Sequence, residues 1–322
     1  MSVNVDVLMT APTMPLIVEG VDKAFKLHKL WEAKDKAAAL AEIAPKVRGL
    51  ALGGHTTVDD AFLKQFPKLE IISSFGVGYD HIKTDDVARR GLIVTHTPGV
   101  LDEEVADTCL GLILCAVREL PQAERYLRAG KWLKGNYPLT ASLRGRSAGV
   151  LGLGRIGKAV ARRLESFGVE VFYHGRTKQP GVPYVYYPTL IDLAKNVDIL
   201  VCVAPGGADT KHIVNKEVLE ALGPSGVLIN VGRGSVVDER ALIEALKQKK
   251  ILTAGLDVFE DEPRVPQELI DMENVVLFPH VGSASVHTRN AMAKLVVDNL
   301  IDWFSGKGPR TPIPETPWPH KG

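Results

Sequence analysis

The feature that most constrains the fold is the hexapeptide Gly152-Leu153-Gly154-Arg155-Ile156-Gly157. It follows the apolar run Ala148–Leu151 and opens the helical pattern Arg155–Phe167. In such a strand–turn–helix unit the first glycine permits a tight turn, the second lets backbone approach a pyrophosphate, and the third allows close helix–strand contact. The helix N-terminus adds N–H groups and positive potential. The hexapeptide therefore predicts a dinucleotide site, the alternative being a glycine-rich turn without a ligand.

Short apolar runs alternate with amphipathic stretches, a pattern typical of a parallel sheet covered by helices. A helical pattern from Glu103 to about Arg128 separates two such series, and a helix over Ser285–Phe304 ends the second. The Pro-rich tail Pro309–Gly322 is expected to be an arm or a frayed end. The predicted strands are Val3–Met9, Val47–Leu52, Leu69–Ser73 and Leu92–Thr95, then Ser147–Leu151, Glu170–Tyr173, Asp198–Val203, Gly226–Val231, Thr253–Asp257 and Val275–Phe278. We expect two doubly wound parallel-sheet domains.

Composition excludes several classes of protein. A chain of 322 residues has room for about two domains. Its 39 Lys+Arg and 38 Asp+Glu give a net charge of +1, so no nucleic-acid or membrane partner is expected. The N-terminal residues lack the pattern of a signal peptide. Cys109, Cys115 and Cys202 form no CxxC pair and are expected to be small buried hydrophobes, which favours a cytoplasmic protein with no metal site.

The residues after the second strand of the nucleotide-binding series distinguish NAD from NADP. An NAD site usually places Asp or Glu there, to accept a hydrogen bond from the ribose 2′-hydroxyl. This chain instead has His174-Gly175-Arg176-Thr177-Lys178. Arg176 can pair with a 2′-phosphate and Thr177 can donate its hydroxyl to it. NADP(H) is therefore preferred and NAD(H) remains possible, because a basic turn exposed only to solvent would leave the choice open.

Three further residues follow predicted strands of the same series. Arg233 lies in the segment NVGRG, Glu262 in DVFEDEP and His280 in FPHVGS. Ligands of open α/β sheets bind at the carboxyl ends of the strands, so these side chains can converge. Each alone has a structural explanation, as a surface arginine, a solvated glutamate or a structural histidine. Their joint placement favours a catalytic site.

The sequence resembles the D-2-hydroxyacid dehydrogenase family. The segments GLGRIG, NVGRGSVVDE, AGLDVFEDEP and FPHVGSAS match the family's motifs in order, and SSFGVGYDHI and THTPGV match its N-terminal landmarks. Within the family the chain is similar to glyoxylate/hydroxypyruvate reductases and to plant-type hydroxyphenylpyruvate reductases. The resemblance implies a Rossmann nucleotide-binding domain, residues 102–287, inserted into a flavodoxin-like substrate domain formed by residues 1–101 and 288–322.

The resemblance also implies roles for individual residues. Arg233 orients the substrate, His280 is the acid/base, and Glu262 pairs with His280. The substrate-binding positions are Leu52, Val77, Gly78, Arg233 and His280. Besides Gly152 to Gly157, Arg176 and Thr177, the cofactor-binding positions are Thr108, Val203, Thr210, Val231, Asp257 and Gly282.

The expected activity is reduction of a small anionic 2-keto acid to its 2-hydroxy acid, with glyoxylate or hydroxypyruvate as substrate. The small residues Gly53 and Gly54 beside Leu52 permit larger substrates, so an aromatic 2-keto acid reductase is one alternative. A non-catalytic NAD(P)-sensing protein is another, and an NAD-linked formate or phosphoglycerate dehydrogenase is a third. A homodimer is expected from the resemblance, with Glu103–Arg128 and Trp132–Tyr137 as its interface.

Overall fold

The computed structural model of the chain describes residues 4–53 and 56–318. The chain divides into two compact units, Met1–Leu101 with Ser285–Gly322, and Asp102–Ala284. The second boundary lies between residues 284 and 285 rather than 287 and 288, because Ser285 already belongs to the helix that follows. Its hydroxyl accepts a hydrogen bond from the Thr288 N–H at 3.1 Å. Of the predicted strand Val3–Met9, Val3 lies outside the described residues.

The first unit contains a five-stranded, all-parallel sheet with strand order β2-β1-β3-β4-β5. This is the flavodoxin-like doubly wound order. Its strands are β1 Asp6–Met9, β2 Lys26–Lys29, β3 Gly49–Gly53, β4 Ile71–Phe75 and β5 Ile93–Thr95. Its helices are α1 Pro15–Ala24, α2 Lys36–Ile43, α3 Asp60–Leu63, α4 Thr84–Arg89 and, from the C-terminal part of the chain, α12 Val286–Phe304.

Strand β2 was not predicted, because its sequence KLHK has no apolar run. It lies at the edge of the sheet and, among the described residues, pairs with β1 alone. An edge strand needs little apolar surface, since one of its sides faces solvent. Its position is reinforced by His28, whose Nε2 lies 2.7 Å from Asp6 Oδ1.

The second unit contains a seven-stranded parallel sheet with strand order β12-β11-β10-β9-β6-β7-β8. Chain order reverses between β6 and β9, the switch point of a Rossmann fold. The strands are β6 Ser147–Leu151, β7 Glu170–His174, β8 Val185–Tyr186, β9 Ile199–Cys202, β10 Val227–Asn230, β11 Thr253–Leu256 and β12 Val275–Leu277. The helices are α5 Asp102–Arg118, α6 Leu120–Arg128, α7 Arg155–Ser166, α8 Leu190–Lys195, α9 Lys216–Leu222, α10 Glu239–Lys247 and α11 Gln267–Asp271. The predicted fold class is confirmed.

The single long helix predicted over Glu103–Arg128 is wrong, because α5 ends at Arg118 and α6 begins at Leu120. Glu119 between them has the left-handed backbone conformation, with φ 51°. Pro121 explains the break. Proline has no N–H to donate to the preceding turn, and its ring clashes with that turn's carbonyl, so it is tolerated only near a helix start.

The inner strands are buried on both faces, as in a parallel sheet covered by helices. Every residue of β9 and β10 is buried. Cys109 and Cys202 are buried as expected, whereas Cys115 is half-buried. Burial raises the pKa of the Cys109 thiol to about 12, so this cysteine is an inert core residue. No helix of the described residues is long and apolar enough to cross a membrane.

The expectation that the Pro-rich tail is an arm or a frayed end is wrong for its described part. Pro312 forms an antiparallel bridge with Thr95 at the edge of the first sheet. Ile313 is 1% exposed, and the Thr316 hydroxyl accepts a hydrogen bond from the Val94 N–H at 2.9 Å. The tail is therefore a packed part of the first unit. Residues 319–322 lie outside the described residues.

Candidate active site

The glycine-rich turn between β6 and α7 has the geometry predicted for it. Gly152 has φ +97°, and a Cβ there would lie 2.9 Å from the Ala204 N. A Cβ on Gly157 would lie 2.2 Å from the Gly152 O, so helix and turn touch through this position. At Gly154, by contrast, a Cβ would have no neighbour within 4 Å among the described residues.

The open position at Gly154 is where a dinucleotide pyrophosphate can approach the backbone. Gly154 is the N-cap of α7 and supplies no side chain to cap the helix. The first N–H groups of this 12-residue helix therefore face the open side together with the positive end of the helix dipole. Glycine is thus sterically required at positions 152 and 157, while position 154 is open. This arrangement suits the binding of a pyrophosphate.

The end of β7 carries no carboxylate and presents a basic turn. Arg176, Thr177 and Lys178 are exposed. Gln179, which the sequence did not indicate, holds this turn against the glycine-rich turn. Its Nε2 donates to the Leu153 O at 2.8 Å, and its N–H donates to the Tyr173 hydroxyl oxygen at 2.7 Å. The turn that carries Arg176 is thus held, through Gln179, beside the glycine-rich turn. In a Rossmann fold the adenosine ribose of a bound dinucleotide lies in this region.

The remaining predicted cofactor positions lie at the same edge of the sheet. Val203 and Val231 follow the neighbouring strands β9 and β10, and the Val231 N–H donates to the Cys202 O at 3.1 Å. Thr210 lies in the loop after β9, where its hydroxyl donates to the Pro205 O at 2.7 Å. The Thr108 hydroxyl donates to the Gly282 O at 3.3 Å, which ties α5 to the loop after β12.

Asp257 organises the loop that carries His280. It is 1% exposed, and its two oxygens accept from the Val281 N–H at 2.7 Å and the Gly282 N–H at 2.8 Å. Burial raises the pKa of the Asp257 carboxyl, although the two N–H donors oppose the effect. The His280 N–H donates to the Asp257 O at 2.9 Å, and His280 itself has φ 53°. Asp257 therefore fixes an unusual backbone conformation at the candidate acid/base.

The side chains of Glu262 and His280 form a hydrogen-bonded pair. His280 Nδ1 lies 2.7 Å from Glu262 Oε2, while Glu262 Oε1 accepts from the Phe259 N–H at 3.0 Å. Burial alone would raise the pKa of the Glu262 carboxyl. The hydrogen bonds from His280 and Phe259, with the charges of His280 and Arg233, outweigh burial and hold this pKa below its usual value. Glu262 is therefore a carboxylate at neutral pH.

Arg233 lies on a loop held by its neighbours. The Asn230 side chain donates to the Arg233 O at 2.9 Å and accepts from the Gly232 N–H at 3.1 Å. A Cβ on Gly234 would lie 1.9 Å from the Phe259 O, so this loop touches the backbone of the loop carrying Glu262. The second unit therefore brings the three predicted catalytic residues to one edge of its sheet.

Sequence reasoning missed Glu239, a buried carboxylate that joins these loops. It begins α10 and is 9% exposed, and its Oε1 accepts from the Glu260 N–H at 2.7 Å. Burial raises the pKa of the Glu239 carboxyl, and nearby acidic groups add to the effect. His212 holds the same turn, with its Nε2 2.6 Å from Glu260 Oε1. Glu239 directly follows Asp238, the N-cap residue of α10, and this position is the sequence signal by which it could have been identified.

The predicted substrate positions of the first unit also lie at the carboxyl ends of strands. Leu52 is in β3 and is 1% exposed, so its side chain belongs to the core of this unit. Val77 and Gly78 follow β4 and are half-buried. Gly54 lies outside the described residues. No group of three or more potential metal ligands occurs in the described part of the chain.

The second unit matches a known family. Residues 110–282 match the model of the D-isomer specific 2-hydroxyacid dehydrogenase, NAD binding domain. This match covers more than half of the chain and includes Arg233, Glu262 and His280. It agrees with the resemblance of the motifs and confirms the prediction of a nicotinamide dinucleotide site.

Relatives that match the whole chain are also known. The chain is 47% identical to glyoxylate/hydroxypyruvate reductase A of Arabidopsis thaliana over 96% of this chain and 99% of that protein. It is 45% identical to hydroxyphenylpyruvate reductase of Plectranthus scutellarioides, with the same coverage. Among solved structures, it is similar to the NADPH-dependent glyoxylate/hydroxypyruvate reductase of Sinorhizobium meliloti in complex with NADP and malonate. The TM-score is 0.92 and the identity 47%, over 99% of this chain and 100% of that one.

Proposed function

Because this chain belongs to the D-isomer-specific 2-hydroxyacid dehydrogenase family, we propose that it is an NADPH-preferring reductase of small 2-keto acids. It converts glyoxylate to glycolate and hydroxypyruvate to D-glycerate. The observation that carries the proposal is the hydrogen-bonded pair of His280 and Glu262 on loops held against the Arg233 loop. This arrangement places a proton donor, His280, and a cation that can orient the substrate's carboxylate, Arg233, on loops that touch.

Three residues of the second unit have different roles in the proposed reaction. The dinucleotide, when bound, would supply the hydride that the substrate's C2 carbonyl carbon accepts. Arg233 binds the substrate's carboxylate and C2 carbonyl oxygen, which orients the carbonyl carbon and stabilises charge on the oxygen. Since Nδ1 of His280 is bonded to Glu262, Nε2 is the nitrogen that gives its proton to that oxygen. Glu262 fixes the orientation of the ring and stabilises the imidazolium.

The preference for NADPH rests on the turn after β7. A 2′-phosphate needs donors and positive charge, and Arg176 and Thr177 are exposed there with no carboxylate at the strand end. We assign the unit Asp102–Ala284 to the cofactor and the unit that carries Val77 and Gly78 to the substrate. The NADP complex of the Sinorhizobium meliloti relative supports this choice of cofactor.

A second candidate function is reduction of aromatic 2-keto acids. The observation that favours it is the 45% identity to the hydroxyphenylpyruvate reductase of Plectranthus scutellarioides. The small Gly53 at the end of β3 leaves room for a larger substrate. The similar proteins from Arabidopsis thaliana and Sinorhizobium meliloti are both named glyoxylate/hydroxypyruvate reductases. Small 2-keto acids therefore remain the first choice of substrate.

The test is a matrix of steady-state kinetics on one preparation of the enzyme. Glyoxylate, hydroxypyruvate, phenylpyruvate and pyruvate are each reduced with NADH and with NADPH. The proposal predicts the highest kcat/KM for glyoxylate or hydroxypyruvate with NADPH. A higher value for phenylpyruvate supports the aromatic alternative. Binding of NADPH without turnover of any of the four substrates contradicts an enzymatic function for them.

We further propose that the enzyme is a homodimer, joined through a surface of the second unit. Leu133 and Leu139 are almost fully exposed in the single chain, Trp132 is 63% exposed, and Leu127 of α6 is 55% exposed. Large apolar side chains exposed within one short stretch of the chain are typical of a contact between subunits. Sedimentation equilibrium of the wild type and of the double variant Leu133→Glu/Leu139→Glu tests it. The proposal predicts a dimer that dissociates in the variant, and a monomeric wild type contradicts it.

A further inference from the structure

The loop Gly76-Val77-Gly78 after β4 has two of its carbonyl groups held from the same neighbouring segment. The Thr97 N–H donates to the Gly76 O at 2.9 Å. The ring of His96 lies with Nδ1 2.8 Å from the Val77 O. Because a carbonyl oxygen only accepts hydrogen bonds, Nδ1 of His96 carries the hydrogen in this contact. Residues 96–97 therefore fix two successive peptide planes of the loop.

The orientation of these planes determines where the loop's N–H groups point. In a trans peptide the C=O of one residue and the N–H of the next point in opposite directions. Holding the Gly76 C=O against Thr97 turns the Val77 N–H away from the segment 96–97. Holding the Val77 C=O against His96 does the same for the Gly78 N–H. Two successive N–H groups thus share one side, an arrangement that binds anions.

Glycine at position 76 makes this arrangement possible. Gly76 has φ +155°, which L side chains rarely adopt. Within the described residues, neither the Val77 N–H nor the Gly78 N–H has a backbone acceptor. The two donors are available to a carboxylate.

His96 is itself held by the C-terminal tail. Its N–H donates to the Thr311 O at 3.1 Å, and its carbonyl accepts from the Thr311 hydroxyl at 2.6 Å. The ring of Tyr79 packs edge-on against it, with ring centroids 5.4 Å apart. The Tyr79 hydroxyl in turn donates to a carboxylate oxygen of Glu315 at 3.3 Å. The C-terminal tail therefore holds the His96 ring in place, through Thr311 at its backbone and through Tyr79 at its side chain.

We propose that His96 is a positioning residue for substrate, which acts by turning the Gly78 N–H toward the carboxylate of the 2-keto acid. This proposal rests on the proposed function, because it takes the loop 76–78 as the receiver of that carboxylate. It assigns to the histidine of the THTPGV segment a role in substrate affinity and none in proton transfer. His280 keeps the acid/base role.

The test compares three variants of the full-length enzyme. His96→Leu removes the donor, whereas His96→Asn keeps an N–H donor at the same branch position. We expect His96→Leu to raise KM for glyoxylate about tenfold, the usual cost of a misplaced donor to a charged group, with a much smaller change in kcat. His96→Asn stays within about twofold of the wild type in KM. His28→Leu, a histidine of the same unit bonded to Asp6, is the matched control and leaves KM unchanged.

Two further measurements separate positioning from folding. Oxamate, a carboxylate probe without a reducible ketone, is expected to inhibit His96→Leu about tenfold more weakly than wild type, while the Kd for NADPH is unchanged. If His96→Leu fails to fold, His96→Ala with added imidazole replaces it, and imidazole is expected to lower the raised KM. Unchanged KM and oxamate inhibition in the folded variant overturn the proposal. A wild type that neither reduces a 2-keto acid nor binds oxamate overturns the proposed function, and this proposal with it.

Discussion

Nδ1 of His280 lies 2.7 Å from Oε2 of Glu262, so the proposed acid/base and its carboxylate partner form a hydrogen-bonded pair. The same carboxylate is anchored through its other oxygen by the Phe259 N–H at 3.0 Å. The pair is rigid on the carboxylate side, and only the Nε2 side of the ring is left for chemistry.

Replacing Glu262 by Gln keeps the shape of the pair and removes its charge. The pKa of the Glu262 carboxyl lies below its usual value, so the wild type carries this charge across the neutral range. Loss of this charge removes the interaction that favours the imidazolium form of His280, and reduction needs that form. We expect kcat for glyoxylate reduction to fall about ten- to hundredfold, and the alkaline limb of the pH profile to move to lower pH. Coincident profiles for variant and wild type argue against the pairing role.

Arg233→Lys keeps a positive charge and loses the planar fork that can hold two oxygens at once. Since a lysine cannot reproduce that geometry, we expect kcat/KM for glyoxylate to fall about a hundredfold or more. The control is Arg240→Lys, an exposed arginine of the same unit, for which kcat/KM is expected to stay unchanged. Equal behaviour of the two variants contradicts the orienting role of Arg233.

Arg176→Ala tests the source of the NADPH preference. Removing a guanidinium that pairs with a 2′-phosphate costs about 1.5–3 kcal/mol. We therefore expect kcat/KM for NADPH to fall about ten- to hundredfold, with little change for NADH, which lacks this phosphate. Lys178→Ala in the same exposed turn is the matched control and is expected to have a smaller effect. A uniform loss with both cofactors shows damage to the turn rather than lost recognition.

Glu239 is expected to hold the Glu262 loop through its hydrogen bond to the Glu260 N–H. Glu239→Ala removes the acceptor and is expected to lower kcat about tenfold. Glu239→Gln retains an amide oxygen as acceptor and should keep most of the activity. Asp198, which accepts from the Ser147 N–H away from the site, provides the control Asp198→Ala, with lower stability and unchanged kcat. Equal kcat for Glu239→Ala and wild type excludes the positioning role.

The C-terminal tail gives a pH-dependent contribution to stability through Asp302. The Arg310 guanidinium bonded to it holds the pKa of this carboxyl below its ordinary value of 3.8. A carboxyl with a lowered folded-state pKa stabilises the fold above its unfolded-state pKa, and this contribution is lost as the pH falls through the folded-state pKa. We expect Asp302→Asn to destabilise the protein by about 1 kcal/mol at pH 7, a modest value because the Arg310 side chain is 45% exposed.

Urea unfolding of the Asp302→Asn variant and the wild type at several pH values measures this contribution. The difference should be full at neutral pH and should be lost as the pH falls through the folded-state pKa, which lies below 3.8. Asp22→Asn, at a pair with a 4.0 Å separation in which Asp22 is exposed, is the control with no expected effect. A difference that persists unchanged at low pH assigns the effect to packing rather than charge.

Much of the fold could be predicted because buried parallel strands appear as short apolar runs. The hexapeptide Gly152–Gly157 also identified its strand and helix, since glycine is required there by geometry. Strand β2 could not be found, because its sequence KLHK has no apolar run. The break at Glu119 was also missed, because the apolar periodicity continues across it while Pro121 prevents a continuous helix.

The candidate site was predictable where chemistry requires a specific residue type, as at Arg233, Glu262 and His280. Residues that act by holding backbone were not, because Glu239, Gln179 and His96 have no chemistry that marks them in a sequence. Their partners are N–H and C=O groups, which every residue carries. The docked tail was missed for the same reason, since Thr311 and Thr316 bond to the backbone of His96 and Val94.

The measurement that tests the central claim most directly is the reduction of glyoxylate and hydroxypyruvate with NADPH by wild type and His280→Ala. If His280 is the acid/base, the wild type reduces both substrates, and kcat of the variant falls about a hundredfold or more, with the Kd for NADPH unchanged. A His280→Ala variant with near-normal kcat would contradict the assignment.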